Sequence, residues 1–294
     1  LVLGCVFYGI AASWITDFAR LFKGYETFTA IVISIFFWIY CSQLPAFLFS
    51  IYQWLINKRI ANPIILFPCL ILAFYGFFPM LFSVQLGESQ SQFLIALQGI
   101  EYTGAYGLDF IIGLTNILIA LTLASLIDAD AEKNNWIKLP FSTLVASFVI
   151  LSWFTFGIYA FHHWQNKIET WPTHRIGIVQ PNETPNDKIP PPTAGYSYTY
   201  PPELAFSESI MAWSSKQDKN IDFIIWPETR YKGYFRYPLI ENSFTRAINN
   251  LGVPVIFQDV EQLQDKNAKA TYSTVLHIDG NGKKINSYHK IKRV

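Results

Sequence analysis

The sequence predicts a polytopic α-helical membrane bundle followed by an α/β domain, and three observations carry that reading. Of the 294 residues, 51% are hydrophobic and only 15% charged, against about 25% charged in an ordinary soluble domain. The long apolar runs fall within residues 1–165. From 166 to 294, strand-like runs alternate with helix-like ones. Residues 1–165 are therefore assigned to the bundle and 166–294 to the globular domain. The net charge of +1 excludes an electrostatic nucleic-acid binder, which would show a basic patch or stripe. The chain opens inside an apolar run without Met and ends on "SYHKIKRV" with no turn or cap signal. Truncation at both ends is expected, leaving the α/β domain incomplete at its C-terminus.

A helix needs about 20 largely apolar residues to cross a bilayer. Five stretches qualify, 1–17, 28–56, 61–83, 106–127 and 140–162. Pro45 lies in the second, where neighbouring helices can absorb a kink. Trp14, Trp38, Trp54, Trp136, Trp153 and Trp164 fall mostly near span ends, as interfacial anchors do. Lys58 and Arg59 follow the second span and Lys133 and Lys138 lie between the last two, whereas 85–105 has no Lys or Arg. Cytoplasmic loops are the basic ones, so alternation puts 85–105 and the globular domain outside; only Arg20 and Lys23 dissent. The segment 85–105 is too polar for a span yet amphipathic, which predicts an interfacial or re-entrant element. Glu101 and Asp109 sit near membrane depth, where ionisable groups are costly.

In the second half, "RIGIVQ" (175–180) reads as a strand and "PPELAFSESIMAWSSKQ" (201–217) as a helix with proline near its start. "IDFIIW" (221–226) is a near-continuous apolar run, the pattern of a strand buried on both faces. A helix over 237–250 and a strand "VPVIFQ" (253–258) follow. "YSTVLHID" (272–279) and "KKINSY" (283–288) flank Gly280-Asn281-Gly282, a hairpin signal. This β-α-β-α-β opening with a later hairpin implies a layered α/β fold. Between the first strand and helix, "NDKIPPPTAGYSYTYPP" (186–202) is rich in Pro and Tyr, hence extended and semi-rigid; it reads as a surface linker or as a membrane-facing arm.

Several chemistries find no motif: there is no GxSxG, P-loop, HExxH or GxGxxG. Cys5, Cys41 and Cys69 all lie in the apolar half without CxxC spacing, so buried, inert thiols are expected. "VLGC" at the start lacks the charged and apolar regions of a signal peptide, and "NET" at Asn182 is given no role. His162, His163, His174, His277 and His289 are not at metal-ligand spacing. No metal or soluble cofactor is called for.

Two groups remain as candidates, Glu228 at the end of "DFIIWPETR" and Lys290 in "SYHKIKRV". A carboxylate at a strand tip beside Trp226 can be partly desolvated and act as a general base. A lysine near it could hold a developing oxyanion. Taken alone, each is as compatible with a surface charge.

Together, "IIWPET" and the "YHKIK" that follows a hairpin some sixty residues later resemble the Glu and Lys motifs of the nitrilase, or carbon-nitrogen hydrolase, superfamily. With several spans ahead of them they resemble its membrane branch, the apolipoprotein N-acyltransferases. "RIGIVQPNETPNDK" and the run carrying Gln98, Gly104, Gly107, Phe110 and Asn116 are similar too. The resemblance implies an α-β-β-α sandwich and a bacterial inner (cytoplasmic) membrane protein with its C-terminal domain on the periplasmic side. It implies a ping-pong transfer in which a Cys takes an acyl group from a phospholipid. The α-amine of a diacylglyceryl-modified apolipoprotein then accepts the acyl group. Glu228 would be the base and Lys290 the oxyanion-stabilising residue, in a monomer surrounded by membrane lipids.

The family's Cys lies beyond the Lys motif, so it is expected after residue 294 and the fragment alone is expected to be inactive. "FYGFFPMLFS" (74–83) stands where an acidic and basic pair is often seen. Two alternatives stay open: a membrane-tethered amidase acting on a small C–N substrate, and a non-catalytic scaffold with a nitrilase-like binding domain.

Overall fold

The computed structural model describes residues 1–80, 84–127, 140–180, 202–228, 234–235, 237–262 and 271–291. The chain forms two compact units, Leu1–Trp171 and Pro172–Val294. The basic loop between the last two spans, the "NET" triplet and nearly all of the Tyr- and Pro-rich segment lie outside the described residues.

The first unit is helical: α1 Val2–Ala11, α2 Trp14–Leu21, α3 Thr27–Asn57, α4 Pro63–Phe77, α5 Leu94–Leu97, α6 Ile100–Ile127 and α7 Pro140–Ile168. Three helices, α3, α6 and residues 141–168 of α7, are long and apolar enough to cross a membrane. The other two expected spans take different forms. The first is a pair, α1 and α2, bent by 55°. At that bend the Ala12 carbonyl accepts from the Ile15 N–H at 3.2 Å and also from the indole N–H of Trp38 at 3.1 Å. The other, α4, has 15 residues and at 1.5 Å per residue reaches only about 22 Å, short of a ~30 Å hydrocarbon core. Helix α3 runs on through Pro45, whose ring packs beside Gly4 of α1.

The thiols depart from expectation. Cys41 is buried, but Cys5 is half-buried and lies 3.2 Å from the Ser42 hydroxyl, while Cys69 is on the outer surface of α4. The helices leave much of their apolar surface uncovered, so helical location does not imply burial inside the protein.

Residues 85–105 form no span. A 3₁₀ turn at Leu86–Gln90 and the single-turn α5 lead to a break in α6 at Gly104, whose φ of 64° suits glycine. The segment is fastened on two sides. Asp109, fully buried, accepts from the Gly87 N–H at 2.6 Å, and the Trp153 indole donates to the Ala96 carbonyl at 3.0 Å. Gly99 is required beside that indole, because a Cβ would lie 2.5 Å from the ring. Of the two acidic residues near membrane depth, Asp109 is thus an internal anchor, whereas Glu101 is exposed.

The second unit is one mixed sheet with helices on one face. Strands β1 Ile176–Ile178, β2 Phe223–Ile225, β3 Val255–Gln262, β4 Thr271–Ile278 and β5 Lys284–His289 are ordered β1-β2-β3-β4-β5. The first three are parallel and the last two antiparallel. Helices α8 Pro202–Lys216 and α9 Pro238–Leu251 make the crossovers β1-α8-β2 and β2-α9-β3. Successive crossovers of one hand, stepping in one direction along the sheet, lie on the same face. Accordingly Leu204 of α8 and Phe244 and Ile248 of α9 share one core with Ile224, Val255, Phe257 and Leu276 of the sheet. The described residues hold one helical layer and one sheet.

That layering corrects the reading of "IDFIIW" as a strand buried on both faces. Ile224 is fully buried while Phe223 and Ile225 are only partly so, because the helices cover one face alone. The hairpin forms as the glycines suggest. Asp279 Oδ1 accepts from the backbone of Asn281 at 3.0 Å and of Lys283 at 2.7 Å. Just past the turn the register shifts: Ile278 pairs with Lys284 but His277 with Asn286, leaving Ile285 without a partner in the ladder.

Two expectations follow for stability. Asp109→Ala strips the buried Gly87 N–H of its acceptor, and thermal denaturation in detergent should show a loss of about 1–3 kcal/mol. Tyr234 is 2% exposed, and burial first, then the carboxylates of Glu241 and Asp259, hold its pKa well above the ordinary 10.0. A phenol that stays protonated in the fold but ionises near 10 when unfolded stabilises fully below that pH and progressively less above it. The melting temperature should fall as pH rises past about 10, and less steeply in Tyr234→Phe.

Candidate active site

Trp226 is where the strand becomes a site. Its backbone N–H extends the β2–β3 pairing by donating to the Ile256 carbonyl at 3.0 Å. Its ring is 5% exposed and lies 5.2 Å from that of Phe257 and 5.8 Å from that of Phe244. The indole N–H would be an orphan in that core, but it donates to the Ser207 hydroxyl at 2.9 Å, which in turn donates to the Glu203 carbonyl at 2.7 Å. Strand end and helix α8 are thereby locked together, and Pro227 and Glu228 leave from a fixed point. The chain is held again at Tyr234 and Phe235, where Asp259 accepts from the Phe235 N–H at 3.2 Å.

Lys290 arrives from the other side. Strand β5 is antiparallel to β4, and β4 to β3, so the C-terminal end of β5 lies at the same end of the sheet as those of β2 and β3. The Lys290 N–H donates to the Ser273 carbonyl at 2.9 Å, carrying the pairing one residue past the strand. Its ammonium lies 4.0 Å from the Glu228 carboxylate. The two sequence-predicted groups meet.

They share a cleft of about 320 Å³ on the face without helices. Ile225, Ile256 and Val275 supply apolar lining, and Gln258, Ser273 and Tyr288 supply polar groups. The desolvation expected for Glu228 is not what the structure has: its side chain is 71% exposed and that of Lys290 46%. The Trp226 ring packs in the core and the residue also lines the cleft, yet the carboxylate stays largely open to solvent. None of the three cysteines lines this cleft; they lie in α1, α3 and α4 of the first unit.

The sequence reading missed Gln258, Ser273, Val275 and Tyr288. Once the strand pairing is known, alternation alone puts them on the face with Lys290. It also missed the pairing of His289 with Glu261, at 2.7 Å.

Residues 1–118 match the family described as apolipoprotein N-acyltransferase N-terminal domain. Over these residues the chain is similar to that family. Apolipoprotein N-acyltransferase 2 from two serovars of Leptospira interrogans, copenhageni and Lai, is 27% identical to it over 193 residues, 62% of this chain and 31% of the relative. The chain thus spans about a third of the length of the curated relatives it matches. A carbon-nitrogen hydrolase from Helicobacter pylori overlaps 40% of each chain at 14% identity with a TM-score of 0.26, too slight a likeness to bear on the fold. The 85–105 segment and its Asp109 anchor fall within the N-acyltransferase match.

The geometry separates two kinds of residue at this site. Ser207→Ala leaves the buried Trp226 N–H without an acceptor and should lower stability by about 1–3 kcal/mol in a denaturation experiment. Glu228→Gln alters an exposed, long charge pair of the kind that contributes little, and its melting temperature should match wild type.

Proposed function

We propose that the full-length protein is a phospholipid:apolipoprotein N-acyltransferase, with Glu228 as general base and Lys290 as the oxyanion-stabilising residue. The observation that carries the proposal is the convergence of Glu228 and Lys290, from strands β2 and β5, on one partly apolar cleft. The family match of the membrane unit supports it independently.

In this reading Glu228 takes the proton of a cysteine thiol brought to the cleft. The thiolate attacks the ester carbonyl of a phospholipid, and the Lys290 ammonium stabilises the oxyanion that forms. Collapse, with Glu228 returning the proton to the departing oxygen, expels a lysophospholipid and leaves a thioester. The α-amine of the diacylglyceryl-modified N-terminal Cys of an apolipoprotein then attacks that thioester, with Glu228 again accepting the proton. Ile225, Ile256 and Val275 suit an acyl chain better than a small polar amide, which favours acyl transfer over amidase chemistry. The bilayer is the inner membrane, the cleft faces the periplasm, and the protein works as a monomer.

The test is mass spectrometry of lipoprotein N-termini in cells whose only copy carries Glu228→Gln or Lys290→Ala. N-acylation should fall by about 100-fold or more with either variant, the scale of losing a general base or an oxyanion donor. Unchanged N-acylation with Glu228→Gln would refute the role assigned to that residue.

A further inference from the structure

Resting on that reading of the site, the geometry points to a further positioning element: the His289–Glu261 pair fixes Lys290 from the opposite face of the sheet. His289 Nε2 lies 2.7 Å from Glu261 Oε2, and the His289 ring stacks on Tyr272 at 4.7 Å with the planes 5° apart. The Thr274 hydroxyl reaches the same Glu261 oxygen at 3.5 Å.

Strand alternation places this cluster. Thr274 pairs directly with His289 and is fully buried. Glu261 is in phase with Phe257 on β3, and Tyr272 with Leu276 on β4, both core residues of the helix-covered face. Lys290, one residue later, points the other way and lines the cleft with Ser273, Val275 and Tyr288. Imidazole and ammonium are therefore back to back across the sheet.

The need for such a fixing comes from the strand itself. Among the described residues β5 is an edge strand that pairs only with β4, and no residue in it is fully buried. Lys290 sits one residue past the end of β5, where the regular ladder no longer fixes the direction of its side chain. Glu261 belongs to β3, two strands inward, so its bond to His289 ties the end of the edge strand directly to the interior of the sheet. The Lys290 N–H bond to Ser273 holds the backbone in line, and the His289 contacts keep it there.

The experiment is steady-state kinetics on the full-length protein in detergent or proteoliposomes, with fluorescent phospholipid and lipopeptide as substrates. His289→Ala and Glu261→Ala should each lower kcat by about 10- to 100-fold, the scale of a misplacement near 1 Å, with KM within about twofold of wild type. The double variant should be no worse than either single one, since both remove the same bond. His289→Gln, whose amide still donates to Glu261, should recover most of the rate. All four should melt with wild type, because both side chains are partly solvent-exposed.

Wild-type kcat in His289→Ala, in a protein that Lys290→Ala inactivates, overturns the positioning role and leaves the site reading intact. Equal losses in His289→Ala and His289→Gln, or a loss that follows a lowered melting temperature, overturn it too. If Lys290→Ala itself retains wild-type kcat, the site reading fails and the inference falls with it.

Discussion

The hydrogen bond from the Trp226 indole to Ser207 is the interaction on which the candidate site depends. Trp226 carries a large apolar ring and one polar atom, and the core accommodates the ring only if that atom is satisfied. Ser207 supplies the acceptor from α8. One bond therefore decides three things at once: how α8 sits on the sheet, where β2 ends, and from which point Glu228 departs. Phe244 and Phe257 close around the same ring, so the aromatic centre of the core and the origin of the carboxylate are the same residue.

Much of the second unit was legible in the sequence because its signals are local. The apolar run before Trp226, proline at the start of α8 and glycines around Asn281 each act within a few residues, and each of these elements appears where they place it. The burial of "IDFIIW" was not legible. An apolar run looks the same whether helices cover one face or two, and only topology, with both crossovers stacked on one side, leaves Ile225 facing a cleft. For the same reason Glu228 and Lys290 could be named from sequence while Gln258, Ser273 and Tyr288 could not. The former lie in motifs; the latter belong to the site only through inter-strand register.

In the membrane unit the long spans were readable from hydropathy, and their interruptions were not. Neither the bend at Ala12 nor the shortness of α4 has a hydropathy signature. At the bend a distant partner, the Trp38 indole, adds a second hydrogen bond to the Ala12 carbonyl. The polar stretch 85–105 is the converse case. Its composition correctly denied it a span, but its two fastenings, Asp109 to Gly87 and Trp153 to Ala96, join residues 22 and 57 positions apart.

The register shift in the last hairpin carries a consequence for the chemistry of the cleft. Were the ladder to continue from Ile278 and Lys284 without the unpaired Ile285, each later residue of β5 would oppose the next one along β4. His289 would then stand opposite Ser273 and present an imidazole to Glu228, while Lys290 would turn its ammonium toward the helices. The functional group offered at one end of the sheet is chosen at the other, by a single residue that pairs with nothing.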